Sequence, residues 1–161
     1  MIKLENKTAD EIAAWLPGML EHYVGGQIRA GEDSDSAQRI FLAQRNELFP
    51  NDVPANDQFI MNVIGDDGVV GTMWIGRPLS GSRGTWFVFG IEIDMEFRGK
   101  GFGRAAMEAA EEWTRERNGR RLGLKVFGAN FIARSLYDSL GYEVMATAMF
   151  KDPLAPGVNS L

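Results

Sequence analysis

The sequence predicts a mixed α/β (α+β) fold, on the evidence of one hairpin, one apolar strand and one amphipathic helix. Residues 58–65 and 69–76 are β-rich runs joined by Asp-Asp-Gly, which favours a hairpin turn, so the two form an antiparallel pair. Residues 85–93 are apolar throughout, as in a central strand that is buried on both faces. A glycine-rich turn at 98–104 then opens a helix with small apolar residues on one side, which suits close packing on a sheet.

The N-terminal part is predicted to hold one strand and two helices. Thr8 precedes Glu11 by three residues, the spacing of a capping box, so the first helix begins near Ala9. Pro17 and the glycine after it are expected to interrupt or kink this helix. The predicted elements are a strand at 2–5, a helix from 9 with its break at 17–18, a second amphipathic stretch as far as 25–26, and a helix from 34 or 36 that ends before 50.

The C-terminal half is predicted to alternate helices and strands. Apolar residues recur at helical spacing from Phe102 to Trp113, and the Asn-Gly pair at 118–119 supplies a stop. Asn130 can cap a further short helix that ends at Gly141. The remaining elements are a strand at 122–127, a final strand at 142–150 and a loose tail, which completes the order β1-α1-α2-β2-β3-β4-α3-β5-α4-β6.

Length and composition indicate one globular domain. The 161 residues are enough for one full core and too few for two, and 45% hydrophobic with 24% charged residues is typical of a globular chain. We expect residues 1–152 to form the domain and residues 153–161 to form the tail. No apolar run approaches the ~20 residues of a membrane span, and the N-terminus has no hydrophobic signal region, so a cytoplasmic protein without a membrane partner is expected.

The scarcity of certain residue types excludes several kinds of site. Without cysteine the chain has no disulfide, no thiolate nucleophile and no cysteine-ligated metal. A histidine-based metal site or a Ser-His-Asp triad would have to be built on His22 alone, so no metal is expected. The net charge of −5 argues against a nucleic acid partner, because such binding depends on extended basic surface.

The turn at 98–104, with the sequence RGKGFGR, has the composition of an anion-binding site. Its glycines allow the backbone to approach a ligand closely, and the free N–H groups and positive dipole end of the following helix point at that ligand. Its three basic side chains add the charge that a phosphate requires. The alternative is a turn that only packs a helix on a strand. The interleaving of basic residues and glycines makes that alternative the weaker interpretation.

Two other nucleotide motifs match this turn only in part. Residues 101–106 satisfy G-x-G-x-x-G/A, but the dinucleotide fingerprint requires an acidic residue about 20 positions further on, and residues 121–126 read RLGLKV. A P-loop requires Ser or Thr after its lysine, and Lys100 is followed by glycine. A nucleotide-binding oxidoreductase therefore stays only as an alternative. Thermal stabilisation of the protein by NAD(P) would favour it.

These residues resemble the GCN5-related N-acetyltransferase (GNAT) superfamily, whose main signature is Q/R-x-x-G-x-G/A after the fourth strand. The sequence RGKGFG at 98–103 fits that signature, and NFIARSLYDSLGY at 130–142 resembles the family segment N-x-x-A-x-x-L-Y-x-x-x-G-F/Y. The resemblance covers about residues 2–151 and implies a mostly antiparallel central sheet, flanked by helices, with splayed central strands. Residues 141–151 are shorter than the usual closing hairpin, so the last two strands are either fused or reduced to one.

The resemblance implies acetyl-CoA as the acyl donor, with its pyrophosphate on the backbone N–H groups of the turn. Its pantetheine arm would run along the main chain of 91–93, as a further strand would. The cofactor contacts so implied are Ile91, Ile93, Arg98, Gly99, Lys100, Gly101, Phe102, Gly103, Arg104, Asn130 and Ala133.

Two catalytic residues are implied in the same way. Tyr137 matches the family tyrosine that donates a proton to the departing thiolate, although it also suits a core position on the apolar face of its helix. Glu92 stands where some relatives place a base, directly or through water. That role would need burial among its apolar neighbours to raise its pKa, and a glutamate facing solvent or paired within the sheet is the equal alternative.

The activity implied is transfer of an acetyl group from acetyl-CoA to a primary amine of a small molecule or peptide, by direct attack in a ternary complex. A non-catalytic acyl-CoA-binding sensor on the same fold is the alternative, and a homodimer is among the assemblies that the resemblance allows. The acceptor is expected near Tyr23 and the loops at 25–35 and 77–84.

Overall fold

The computed structural model describes residues 1–29, 31, 33–151 and 153, so most of the predicted tail lies outside the described residues. The elements are β1 Lys3–Asn6, α1 Ala9–Arg29, α2 Ser34–Leu48, β2 Gln58–Gly65, β3 Gly68–Gly76, β4 Thr85–Ile93, α3 Phe102–Glu116, β5 Arg121–Leu124 and α4 Phe131–Ser139. The strands form one sheet in the order β1-β2-β3-β4-β5, antiparallel except for the parallel pair β4 and β5. This confirms the mixed, mostly antiparallel sheet and the predicted order of elements as far as α4.

Each face of the sheet carries its own hydrophobic core. On one face the alanines of α3 pack with Met107 and Trp113 against Met73 and Ile75 of β3. On the other face Trp74 meets residues of α1, α2 and the segment after α2. Burying a large apolar side chain stabilises a fold by about 1.5–3 kcal/mol, so the alternation along β3 is what holds helices on both faces.

α1 is one continuous helix through Pro17, and the predicted interruption is therefore wrong. Proline removes the N–H that would bond the carbonyl four residues earlier, which belongs to Ala13. Both Ala13 and Pro17 are exposed, so that carbonyl can bond water instead.

No helix of the described part is long and apolar enough to cross a membrane.

The pairing of β4 with β5 covers only half of β4. It runs from Thr85 opposite Arg121 to Val88 opposite Leu124, whereas β4 continues to Ile93. The chain after Leu124 leaves the sheet, and the ring of Phe127 lies so close to Gly26 of α1 that a Cβ there would be 2.9 Å from it. β5 therefore ends earlier than predicted, and the far half of β4 separates from it.

The predicted final strand at 142–150 is not formed in the described structure. Residues 143–150 are all exposed and join no strand, so the sheet of the described residues has five strands rather than six. The β propensity of this segment is real, but a strand also needs a partner for its backbone groups, and no strand of the described residues pairs with this segment.

Candidate functional site

The glycine-rich turn lies between the end of β4 and the start of α3. Gly99 and Gly101 have φ angles of 70° and 85°, in the left-handed region that favours glycine. A Cβ at either position would meet nothing within 4 Å, so the space beside the turn is open. Gly103 has a different role, because a Cβ there would lie 3.6 Å from Leu136 of α4, and α3 and α4 pack closely at this point.

The first turn of α3 presents its backbone donors at this open space. Gly101 is the N-cap and has no side chain to occupy the helix end. The first bond of the helix joins Ala105 N to Gly101 O at 3.1 Å, so the N–H groups of residues 102–104 precede the intrahelical pattern. Free donors and the positive end of the helix dipole together favour an anion.

Basic side chains surround the turn and are themselves held in place. The Arg98 Nε donates a 2.7 Å hydrogen bond to the Ile93 carbonyl, which ties the turn to the end of β4. The Lys100 ammonium lies 5.7 Å from the centre of the Phe97 ring, and the Arg104 guanidinium donates to the Ser139 hydroxyl of α4. All three cations are exposed.

The separated half of β4 offers main-chain groups on one edge. Ile91 and Ile93 pair with Met73 and Gly71 of β3, while their other edge has no partner strand among the described residues. Their side chains pack on the α3 face of the sheet. Their outer main-chain edge therefore lacks a partner strand in the described part of the chain, and at Ile93 the carbonyl already accepts the hydrogen bond from Arg98.

A β-bulge interrupts β4 just before this edge. Trp74 pairs with Gly90 while Ile75 pairs with Val88, so Phe89 is the extra residue. The bulge turns Glu92, which lies opposite Thr72, toward the face that carries Trp74. The glycine at position 90, inside an apolar run, was the available sequence signal for this bulge.

Glu92 is not buried among its apolar neighbours. Its side chain is 64% exposed and its Oε1 lies 3.9 Å from the Arg98 Nη2. Of the two alternatives drawn from the sequence, the structure adopts the exposed, ion-paired one. The burial that a direct general base at this position would require is missing.

Tyr137 lies on α4 close to the N-terminal end of α3. It packs against the α3 core, and its ring is 5.9 Å from that of Tyr142. Burial raises the pKa of the Tyr137 hydroxyl above its ordinary value near 10, so the proton is retained at neutral pH. No hydrogen bond joins this hydroxyl to another group in the described part of the chain, which leaves it able to donate to a ligand.

α4 begins as its sequence predicts. The Asn130 side chain accepts a 3.2 Å hydrogen bond from Ala133 N, so the asparagine caps the helix. Ala133 is half-buried. The cap fixes where α4 starts, and the contact of Leu136 with Gly103 fixes how α4 meets the glycine-rich turn.

A cavity that the sequence did not indicate lies between α1, α2 and the sheet. Its walls are mainly aromatic, and its volume is about 40 Å³. Trp74 and Phe89 stack across the bulge with ring centres 4.6 Å apart, and Tyr23 donates a 2.8 Å hydrogen bond to Gln44 above them. The remaining lining residues are Met19, Phe41, Arg45, Leu48 and Phe49, so no carboxylate of the described residues faces this cavity.

The two loops that were expected near the acceptor, at 25–35 and 77–84, lie in other parts of the structure than Tyr23 does. The loop at 77–84 joins the end of β3 to the start of β4, so the nine-residue β4 separates it from the glycine-rich turn. Asp33 caps α2 by accepting a 2.9 Å hydrogen bond from Ser36 N, and hydrogen bonding by the Ser36 side chain, followed by that of its backbone, lowers the pKa of the Asp33 carboxyl. Of the candidate regions, only Tyr23 lines the aromatic cavity.

Comparison with protein families and curated sequences gives consistent matches. The model of the acetyltransferase (GNAT) family matches residues 23–142. YdgE and YycN of Bacillus subtilis (strain 168), each named an uncharacterized N-acetyltransferase, are 27% and 24% identical over 152 residues. The two matches cover 92% and 93% of this chain and 96% and 97% of the relatives.

Solved structures show the same fold. The crystal structure of YycN from Bacillus subtilis matches with a TM-score of 0.85 at 24% identity, over 96% of this chain and 99% of that one. The structure of AAC(6')-Iy in complex with the bisubstrate analogue CoA-S-monomethyl-acetylneamine matches with a TM-score of 0.55 at 20% identity, over 94% and 96%.

Proposed function

This chain belongs to the acetyltransferase (GNAT) family, and from that premise we propose that it transfers an acetyl group from acetyl-CoA to a primary amine. The amine belongs to a small molecule or a peptide and attacks directly in a ternary complex. The observation that carries the proposal is the continuity of the open glycine-rich turn with the unpaired edge of β4. Together they offer an anion site for the pyrophosphate of coenzyme A and, next to it, an extended main-chain edge for the pantetheine arm.

The turn suits the pyrophosphate of coenzyme A. The N–H groups of residues 102–104, the helix dipole and the three cations all favour negative charge at one place. A side chain at Gly99 or Gly101 would project into the space that the ligand needs. Charge-assisted hydrogen bonds are about twice as strong as neutral ones, so this contact supplies most of the anchoring.

The edge of β4 suits the pantetheine arm. Amide groups of an extended ligand can pair with the main chain of residues 91–93 in the manner of an added strand. This places the thioester near the bulge, on the side of Gly90 and Glu92. The acetyl group that the donor supplies is thereby brought next to the face that carries the aromatic cavity.

Tyr137 acts as the general acid of the reaction. The amine nitrogen attacks the thioester carbonyl carbon, the bond from that carbon to sulfur breaks, and the hydroxyl proton of Tyr137 passes to the thiolate. The nitrogen releases its surplus proton to water, and the Tyr137 phenolate regains a proton from water. Because burial keeps this phenol protonated, it can donate throughout the neutral range.

The acceptor amine must first lose a proton. An amine with a pKa of about 10.4 is mostly protonated at pH 7, and its deprotonation costs about 4–5 kcal/mol at 1.36 kcal/mol per pKa unit. Since Glu92 is exposed and paired with Arg98, its position supports a role in orienting a proton-carrying water rather than direct contact with the amine.

The non-reacting part of the acceptor lies toward the aromatic cavity. The cavity is next to the bulge of β4, on the face to which Glu92 is directed. Its walls, as far as the structure describes them, lack a carboxylate and its volume is about 40 Å³, so it suits a short apolar group better than a polycationic one. We therefore expect amines with a small alkyl group to be better acceptors than polyamines or aminoglycosides.

Titration of acetyl-CoA into two glycine variants tests the proposal. Gly101→Leu places a side chain in the open turn, whereas Gly84→Leu places one at a similar φ of 89° just before β4, where the atoms nearest to its Cβ belong to the Arg120 side chain, 3.3 Å away. We expect Gly101→Leu to abolish binding and Gly84→Leu to retain it. Absence of acetyl-CoA binding by the unaltered protein would refute the proposal, and binding without acetylation of any amine would instead indicate a sensor.

A further inference from the structure

A polar recess, the arginine recess, lies at the end of β4 that is remote from the glycine-rich turn. It is formed mainly by the loop at 77–84, and its volume is about 290 Å³. The nine residues of β4 place it roughly 25 Å from the turn at the usual rise of a strand, so it is separate from the site proposed for coenzyme A. The polar residues of its wall are Asp57, Arg77, Ser82, Arg83 and Thr85.

The guanidinium of Arg77 is held in one orientation. Its Nη1 donates a 3.0 Å hydrogen bond to the Thr85 carbonyl, and its Cζ lies 3.9 Å from the centre of the Trp86 ring. The backbone of Arg77 is fixed as well, because its N–H donates to the Asp57 carbonyl and its carbonyl accepts from the buried Gln58 amide, each at 3.0 Å. An arginine that is already ordered loses little entropy when it binds an anion.

Most hydrogen-bond donors of this guanidinium have no partner among the described residues. A guanidinium carries five N–H donors, and the bond to Thr85 uses one of them. Neither Arg77 nor Arg83 forms an ion pair with a carboxylate in the described part of the chain, although Asp57 belongs to the same wall. The planar fork of an arginine matches two oxygens of one oxyanion, so these free donors suit such a ligand.

Two further arginines extend the positive charge of the recess. Arg120 N and Arg121 N both donate to the Gly84 carbonyl, at 2.7 and 3.2 Å, which brings the start of β5 beside the loop. The side chain of Arg120 lies against the same glycine, since a Cβ there would be 3.3 Å from its Cγ. Both arginines are exposed and neither forms an ion pair with a described residue. Positive charge is thus concentrated here in a chain whose net charge is −5.

Hydroxyl groups add neutral donors to the wall. The Ser82 and Thr85 hydroxyl oxygens lie 3.0 Å apart, and either one can be the donor of the bond between them. The hydroxyl that accepts this bond keeps its own proton for another acceptor. The wall therefore combines two arginines with at least one hydroxyl donor.

We propose that the arginine recess binds a small molecule that carries a phosphoryl group. A phosphate monoester carries a charge of about −1.5 to −2 at pH 7 and three strong acceptor oxygens. Four arginines around one wall carboxylate, Asp57, match that charge better than the single charge of a carboxylic acid. Arg77 and Arg83 donate to the phosphoryl oxygens, and a volume of about 290 Å³ leaves room for a short organic part.

Isothermal titration with glycerol 3-phosphate, glycerate and glycerol tests the class of ligand. The titrations use Gly101→Leu protein, in which the added side chain blocks competing binding at the glycine-rich turn. We expect one molecule of glycerol 3-phosphate per chain, at least tenfold weaker binding of glycerate and no binding of glycerol. Absence of saturable glycerol 3-phosphate binding would overturn the site, and equally tight binding of glycerate would overturn the phosphoryl assignment.

Substitutions in the wall test which residues bind. Arg77→Lys keeps the charge but removes the planar fork and the stacking on Trp86, and Arg83→Gln removes the charge of an exposed side chain. Each should raise the Kd of glycerol 3-phosphate at least tenfold. Arg39→Gln, at an exposed position on α2 outside the recess, is the matched control and should leave the Kd unchanged. Equal Kd values for Arg83→Gln and Arg39→Gln would overturn the proposal, whether or not the Arg77 variant folds.

The indole N–H signals of the four tryptophans in an NMR titration locate the ligand in the unaltered protein. Because Arg77 stacks on Trp86, the Trp86 signal should shift as glycerol 3-phosphate is added, whereas that of Trp15 on α1 should not. Trp86→Phe identifies the Trp86 signal. If the backbone signals of residues 99–104 moved and that of the Trp86 indole did not, the phosphate would bind only at the glycine-rich turn, and the proposal would be overturned.

Discussion

Arg98 and Ile93 are joined by a 2.7 Å hydrogen bond from the guanidinium Nε to the main-chain carbonyl. The bond closes the short turn between β4 and the glycine-rich segment. It therefore fixes the position of the anion site relative to the edge of β4. The same guanidinium lies 3.9 Å from the Glu92 carboxylate. One exposed arginine therefore connects the three parts of the candidate site.

We expect Arg98→Ala to weaken acetyl-CoA binding about tenfold, which corresponds to about 1.4 kcal/mol. The substitution removes both a positive charge at the turn and the brace on β4. Because Arg98 is exposed, the loss of unfolding free energy should stay below about 1 kcal/mol. Calorimetry and thermal denaturation measure the two effects, and Arg115→Ala, which removes an exposed ion pair with Glu112 further along α3, should leave binding unchanged.

Tyr137→Phe should lower kcat about 100-fold or more, the lower end of the usual effect of a general acid. The KM for acetyl-CoA should change little, because the ring and its packing remain. Tyr142→Phe is the control, since that ring meets the Tyr137 ring edge to face but has no role in the proposed reaction. Equal kcat values for the two variants would exclude Tyr137 as the acid.

The pH profile provides a second measurement for Tyr137. Burial raises its pKa above 10, and the protonated phenol is the active form, so its ionisation should not reduce activity in the neutral range or up to pH 10. A decline with a midpoint between pH 7 and 9 that disappears in Tyr137→Phe would contradict this assignment.

Gly71→Ala should destabilise the end of β4. A Cβ at position 71 would lie 2.1 Å from the Glu92 carbonyl oxygen, so the two strands must move apart. Overpacking of this kind costs about 1–3 kcal/mol, and the displaced edge should also bind acetyl-CoA less tightly. Gly90→Ala is the matched control for stability in urea denaturation, because nothing lies within 4 Å of a Cβ there.

Glu11 should make stability depend on pH below neutrality. Its carboxylate accepts a 2.7 Å hydrogen bond from Thr8 N and a 2.9 Å bond from the Asn62 amide. The bond from the Thr8 backbone, followed by that from Asn62, lowers the pKa of Glu11 from 4.5 to about 2. A lowered folded pKa means that the contribution is present above about pH 4.5 and is lost as the pH falls toward 2.

The difference in melting temperature between the unaltered protein and Glu11→Gln measures this contribution. It should be constant from pH 7 to 5 and should shrink from pH 4.5 downward. If the difference in melting temperature were the same at pH 7 and pH 3, the charge of the Glu11 carboxylate would not contribute to stability. Thr8→Ala removes the other half of the capping box and should cost about 0.5–2 kcal/mol.

Most of the candidate site could be predicted from the sequence because its parts are local. The turn depends on glycines that adopt positive φ, and Asn130 caps the helix that carries Tyr137 within three residues. The exposure of Glu92 could not be predicted, since it follows from the bulge at Phe89 and from the ion pair with Arg98. The aromatic cavity was missed because its walls come from α1, α2 and two strands.

The sequence by itself determined the order of the elements as far as α4, the β2–β3 hairpin, the glycine-rich turn and the apolar face of α3. These features depend on periodicity, turn chemistry and capping, which act over a few neighbouring residues. Only the tertiary structure decided that α1 continues through Pro17, that β4 separates from β5 after Val88, and that residues 143–150 pair with no strand of the described residues. Each of these depends on which distant groups come close enough to satisfy a backbone hydrogen bond or cover an apolar side chain, and that is a property of the assembled sheet.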